Sequence, residues 1–248
     1  MNNWKAALLG MLTLAACGPG AVSATTASPT TVVDQSEEIQ DMWALPVLEP
    51  VEPGTYFMDP DLDRSTPLRV VYDIEPDGWS MWAGAVKFGE DERHVGMSIT
   101  TVDNLVSDGC TDHSRADPPI GPSVDDLASA LADLAPFEVT SPPGDVSVYG
   151  HDGKHLELTV PDLPVEPSGD GLRFPECISG QLMSWVAPWD TSDGDAFYGY
   201  TGPGYTEEFW ILDVEGTRLM IAAERSAGSP EDDLDELRAI LDSIRIEP

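Results

Sequence analysis

Two stretches of this chain constrain its fold more than any other feature: DVSVYGHDGKHLELTV (145–160) and EEFWILDVEGTRLMIAAE (207–224). The first alternates apolar and polar side chains around a turn-forming pair, Asp152-Gly153, and the second reads as a repeat of that hairpin around Glu215-Gly216. A period of two puts one set of side chains on one face of an extended ribbon, and a short glycine-containing break folds the ribbon into a hairpin. Further β-branched and aromatic runs, TPLRVVYDI (66–74), SMWAGAVKF (80–88) and HVGMSITTV (94–102), are separated by EPDGW and GEDER and predict more strands. GTYFM (54–58), CISGQLMSWVAP (177–188) and IRIE (244–247) add others.

Two helices interrupt this pattern. Ser123 can cap SVDDLASALADL, with Asp126 as its partner and Val124, Leu127, Leu131 and Leu134 on one stripe. Ser229 is expected to cap SPEDDLDELRAILDSI, with Pro230 at the first helical position and acidic residues in the first turn. Leu234, Leu237, Ile240 and Leu241 form its apolar face. Hairpins dominate, so the fold class is α+β: an antiparallel sheet built from hairpins with two helices packed on one face.

The amino terminus is organised differently. Lys5 precedes an apolar run, Ala6 to Leu14, that is too short for a membrane span of about 20 residues and matches a signal-peptide core. The run ends in Leu14-Ala15-Ala16-Cys17, the lipobox pattern of bacterial lipoproteins. That resemblance implies removal of residues 1–16, acylation of Cys17 and anchoring in the cell membrane on its extracytoplasmic face. Residues 18–33 carry no charge and are rich in Ala, Ser, Thr, Gly and Pro, so 17–50 reads as a lipidated tether. The remaining stretch, 51–248, is long enough for one core and shows no second linker or internal repeat.

Charge narrows the partners. The chain has 12 Lys and Arg against 45 Asp and Glu, a formal net charge of −33. Such a field repels phosphate backbones and so excludes nucleic acid. With Cys17 taken by lipid, Cys110 and Cys177 remain, and an even pair in an exported protein reads as a disulfide. The competing reading is a reactive thiol in SDGCTDHSRAD, where Asp108, Asp112 and His113 surround Cys110. It has no second local signature to support it.

A family resemblance rests on SVDDLASALADLAPFEVTSPPGDVSVYGHDGKHLELTVPD, on Cys177 with Ser184-Trp185 downstream, on FWILDVEGTRL and on ELRAILDSIRIEP. Together these resemble a group of exported actinobacterial proteins and lipoproteins with no established activity. The closing helix running into DSIRI is also similar to the ending of PsbP-like domains, such as extrinsic photosystem II subunits and mycobacterial lipoproteins. That likeness implies a non-catalytic α+β binding module.

No cofactor motif is present: the chain has no G-x-S-x-G elbow, P-loop or dinucleotide glycine pattern. Asp59, Asp61 and Asp63 open like a calcium loop, but Arg64 and Val70 stand where that loop needs glycine and glutamate. His151 and His155 have the i, i+4 spacing of helical zinc ligands, yet here they flank a predicted turn. The segment from Trp185 to Trp210 is dense in aromatics, and Trp189, Tyr198, Tyr200 and Tyr205 lie among glycines in what reads as a loop. Tyr and Trp give rigid contact area at low entropic cost, so these four are the candidate ligand-binding residues, for a small molecule, a glycan or a protein. The reading is a binding module and not an enzyme. The alternative is an exported hydrolase or metal-dependent enzyme that uses acidic residues with His113, His151 or His155.

Overall fold

The alternating stretches pair into a seven-stranded antiparallel sheet in the computed structural model, which describes residues 39–62, 66–89, 93–169, 171–191 and 194–247, without the side chains of 188–196. Its order is β4 (Ser80–Met81), β5 (Gly84–Phe88), β6 (His94–Thr101), β16 (Thr217–Arg225), β15 (Thr206–Val214), β10 (His151–Thr159) and β9 (Glu138–Val148). A second sheet joins β1 (Gln40–Asp41), β2 (Gly54–Met58), β3 (Arg69–Ile74) and β17 (Arg245–Glu247). A third joins β14 (Gly194–Gly199), β13 (Met183–Thr191), β7 (Asn104–Asp108) and β8 (Asp112–Arg115). A small hairpin of β11 (Glu166–Ser168) and β12 (Gly171–Arg173) stands apart from all three. The helices are α1 (Val124–Ala132) and α2 (Glu231–Asp242), so the α+β class read from the sequence holds.

The placement of the helices differs from that reading. Along β16, Leu219, Ile221 and Ala223 belong to one buried cluster with Leu237, Ile240 and Leu241 of α2. Met220 and Ala222 belong to another with Leu127, Ala128 and Leu131 of α1. Successive strand residues point to opposite faces, so the two helices cover opposite faces of the central sheet and not one. The second sheet packs with α2, and the third packs with α1.

Local chemistry explains several boundaries. Ser123 and Asp126 form the expected capping box on α1. Ser229 does not cap α2: its hydroxyl donates to the His94 and Ser226 carbonyls at 3.0 Å each, and α2 begins at Glu231 behind Pro230. The β15–β16 hairpin turns at Glu215-Gly216, with φ of 52° and 87°. The β9–β10 hairpin turns at Tyr149-Gly150, φ 52° and 83°, and not at Asp152-Gly153. Gly153 lies inside β10, where a Cβ would run into the backbone oxygen of Ile211 on β15.

Cys110 and Cys177 are joined in a disulfide, with Cα atoms 4.5 Å apart. It ties the turn after β7 to the segment that leads into β13. Ordered packing begins earlier than the expected tether boundary at residue 50: Gln40 and Asp41 pair with Tyr56 and Phe57, and Met42 is fully buried. The described residues all fall in one compact unit, Glu37–Pro248; Cys17 and residues 1–38 lie outside them. Among the described residues no helix is long and apolar enough to cross a membrane.

Candidate functional site

The face of the central sheet turned toward α1 and the third sheet is apolar at one end and polar at the other. Register fixes its rows. Glu207 on β15 is paired with Glu224 on β16, which is paired with Gly96 on β6, which faces Val86 on β5. The next row inward is Phe209, Ala222, Ser98 and Gly84. The next row outward holds Tyr205, Ser226, His94 and Phe88 at the end of the sheet.

The outer row is tied together by side-chain hydrogen bonds. His94 Nε2 lies 3.2 Å from Tyr205 Oη, and His94 Nδ1 lies 3.1 Å from Ser226 Oγ. Tyr205 Oη is in turn 2.8 Å from Tyr198 Oη. Tyr198 stacks on Trp185, with centroids 4.6 Å apart, and meets Tyr200 edge-on. These rings were expected in an open, glycine-rich loop. Instead Tyr198 sits on β14, Tyr200 follows it, Tyr205 leads into β15, and all three are buried. Their hydroxyls are used within the core, as buried tyrosines require. An exposed shelf of these residues is therefore not what the chain builds. Trp189 is carried on β13, and its side chain lies outside the described residues.

The glutamate row lies about 7 Å deeper along the strands. Glu207 is fully buried and accepts hydrogen bonds from Tyr200 Oη and, at 3.1 Å, from Trp185 Nε1. Tyr200 Oη also bonds Ser184 Oγ at 2.8 Å. Burial pushes the Glu207 carboxyl up to about 8 despite those two donors. Glu224 is 2% exposed, and burial alone raises it to about 8. Among the described residues its Oε2 has no hydrogen-bond partner, and neither has the hydroxyl of fully buried Ser98. Gly96 makes the room, since a Cβ there would stand 2.8 Å from Glu224 Oε1. An unpaired carboxylate this deep is costly, so Glu224 is held as the neutral acid at pH 7.

Outside this row the surface opens into a groove of about 920 Å³, lined by Phe88, His94, Tyr200, Thr201 and the tips of the β11–β12 hairpin and the 178–180 turn. A second lobe of about 360 Å³, which shares Leu172 and Thr201 with the first, reaches Tyr205 and Ser226. None of the described lining residues is acidic; residues 90–92 and 170, which adjoin the rim in sequence, lie outside the described set. Neither Glu207 nor Glu224 lines either lobe.

The other sequence candidates do not converge. His151 and His155 share one face of β10 about 13 Å apart, not the two sides of a turn. His155 Nε2 bonds Glu208 Oε1 at 2.6 Å, beside a small cavity of about 60 Å³ under α2. His113 Nε2 is 3.0 Å from the Gly109 carbonyl, and Asp108 is spent on the backbone N–H groups of Cys110 and Thr111. Asp61 accepts from Thr66 at 3.2 Å, and Asp63 lies outside the described residues. Among the described residues no group of three or more His, Cys, Asp or Glu could hold a metal ion.

Neither Glu207 nor Glu224 is among the candidates read from the sequence. The signal was there: Glu207 shares its strand parity with Phe209 and Ile211, and Glu224 shares its own with Met220 and Ala222. A charged residue in phase with a core face is what the period of two exposes. No protein-family model matches this chain, and no curated protein or solved structure does either.

Proposed function

We propose that this protein is a membrane-anchored extracytoplasmic lipoprotein whose domain binds a ligand in the groove at the end of the central sheet, without catalysing a reaction. Anchoring is supported by Leu14-Ala15-Ala16-Cys17 behind a short apolar run. Binding is carried by one observation: an open groove stands on a floor whose polar atoms are already committed to one another. His94 uses both ring nitrogens on Tyr205 and Ser226, and the carboxyls that could serve as acid or base lie behind the floor. General acid–base chemistry needs a group within hydrogen-bond reach of the substrate. The groove offers recognition surface instead.

A hydrolase reading draws on the same residues, because Glu207, Glu224 and His94 occupy adjacent rows. It requires a carboxyl in the wall of the groove, and both are covered.

The test follows the His94 imidazole by NMR while a soluble extract of the cell envelope is added. Saturable shifts in the wild-type domain, lost when Thr201→Trp fills the groove, are the expected result. No shift in the folded wild type would remove the binding reading. For the anchor, Cys17→Ser should release the protein from the membrane fraction, and undiminished retention would count against the lipobox.

A further inference from the structure

We propose that the groove takes a neutral saccharide, with one sugar face stacked on Phe88 and its hydroxyls paired to Ser168, Ser179, Gln181 and Thr201. This rests on the groove being the binding site, as argued above, and adds the class of ligand.

The platform comes first. Phe88 ends β5 with 53% of its surface exposed, unusual for a phenylalanine at the end of a core strand. Its ring is backed by His94, centroid to centroid 5.7 Å, and His94 is held at both nitrogens. The aromatic surface is therefore presented on a fixed support, which lowers the ordering cost of binding.

The polar rim comes second. Ser168, Ser179, Gln181 and Thr201 line the groove and are exposed. None of them makes a side-chain hydrogen bond within the described protein. Serine and threonine hydroxyls and the glutamine amide can each both donate and accept. That is the property a sugar hydroxyl shares, whereas a carboxylate or ammonium ligand needs one-way partners.

Charge argues against an anion. An anionic ligand would approach a chain of net charge −33, and Arg173 at the rim is already bonded to Glu166 at 2.8 Å. The rim side chains Ser168, Ser179, Gln181 and Thr201 are themselves uncharged and can donate as well as accept. A neutral ring with an apolar face and hydroxyl edges suits the exposed Phe88 ring and the unbonded polar rim, and the volume of about 920 Å³ lies at the upper end for small-ligand sites.

The test uses the mature domain with Cys17→Ser and titrates maltotriose, mannotriose and chitotriose, with trigalacturonate as the anionic control, read by calorimetry and by the His94 NMR signal. At least one neutral trisaccharide should bind saturably at millimolar concentration or tighter. Phe88→Ala should weaken it about tenfold or more with an unchanged melting temperature, since a half-exposed ring contributes little to the core. Thr201→Val should weaken it to a smaller extent. Equal affinity in Phe88→Ala, or tighter binding of trigalacturonate, would overturn the proposal. If no neutral trisaccharide saturates by about 10 mM while envelope extract still shifts His94, the saccharide assignment falls and groove binding survives. If neither probe shifts His94, both fall.

Discussion

Glutamate 224 makes the structure testable through pH. Burial moves its pKa from the ordinary 4.5 up to about 8, and among the described residues no hydrogen bond to Oε2 offsets that cost. In the unfolded chain the same carboxyl loses its proton near 4.5. Between those two values the folded state holds a proton that the unfolded state has released, so stability falls as pH rises. The contribution is intact below pH 4.5 and is lost as pH passes through 8. At about 1.4 kcal/mol per pH unit the loss amounts to roughly 5 kcal/mol for this one group. That is comparable with the whole stability of many domains, about 5–15 kcal/mol. Glu224→Gln keeps the shape and removes the titration. Urea unfolding of both proteins from pH 4.5 to pH 8.5 tests the effect, because titrating groups remote from Glu224 cancel in the difference, and Glu207 opposite it on β15 is the neighbour whose titration can couple to it. The variant should match the wild type near pH 4.5 and gain on it steadily, by several kcal/mol at pH 8. Parallel stability curves would refute the argument, since they would mean that Glu224 is ionised and compensated inside the fold.

Three further outcomes follow from particular contacts. Tyr200→Phe strips one donor from Glu207 and one partner from Ser184, and should destabilise by about 1–3 kcal/mol in thermal or urea unfolding; a neutral result would mean solvent replaces the hydroxyl. The native domain should show no alkylatable thiol at Cys110 or Cys177 until it is reduced, and the double Ser variant should lose about 4 kcal/mol for an unconstrained separation of 67 residues; a free thiol in the native protein contradicts the bond. Leu48 is half-exposed at φ 63°, so Leu48→Gly should raise stability by up to about 1 kcal/mol in the same assay, and a loss would show that its side chain packs more than its exposure suggests.

What the sequence makes legible is local. The capping box at Ser123 and Asp126, the turn at Glu215-Gly216 and the strand at 54–58 depend on neighbours a few residues away, and each is found where local chemistry puts it. The turn at Tyr149-Gly150 was hidden by the competing Asp152-Gly153 pair only three residues on. What separates them is tertiary: Gly153 is needed where β15 passes too close for a Cβ. Ser229 is hidden in the same way, because its hydroxyl is drawn to the His94 and Ser226 carbonyls and leaves the α2 N-terminus uncapped by a side chain. The distribution of the helices was legible and went unread. Leu219 to Ala223 form an unbroken apolar run, and an unbroken run in a strand means both faces are covered. An alternating strand would have been required for helices on one side only.

The aromatic segment shows why the site is harder to read than the fold. Composition put Tyr198, Tyr200 and Tyr205 among glycines and suggested a loop, but the spacing of Tyr198 and Tyr200 is that of a strand, and their shared face is the core. Buried tyrosines need partners for their hydroxyls, and the partners here are His94, Ser184 and Glu207, all on other strands. Each polar residue therefore makes sense only once the register is fixed. The same register places Glu224 beside Gly96, opposite Glu207 and behind His94, so the neutral acid and the groove share one end of one sheet. A ligand seated against His94 would rest on a floor whose stability depends on that proton. The groove should accordingly be firmest at pH values where Glu224 is protonated, and binding measured at pH 6 should exceed binding at pH 9 in the wild type. Glu224→Gln should remove part of that difference, with Glu207, also pushed up to about 8, carrying the rest. A difference undiminished by the substitution would assign the pH dependence to Glu207, which burial also pushes up to about 8, and uncouple Glu224 from the groove.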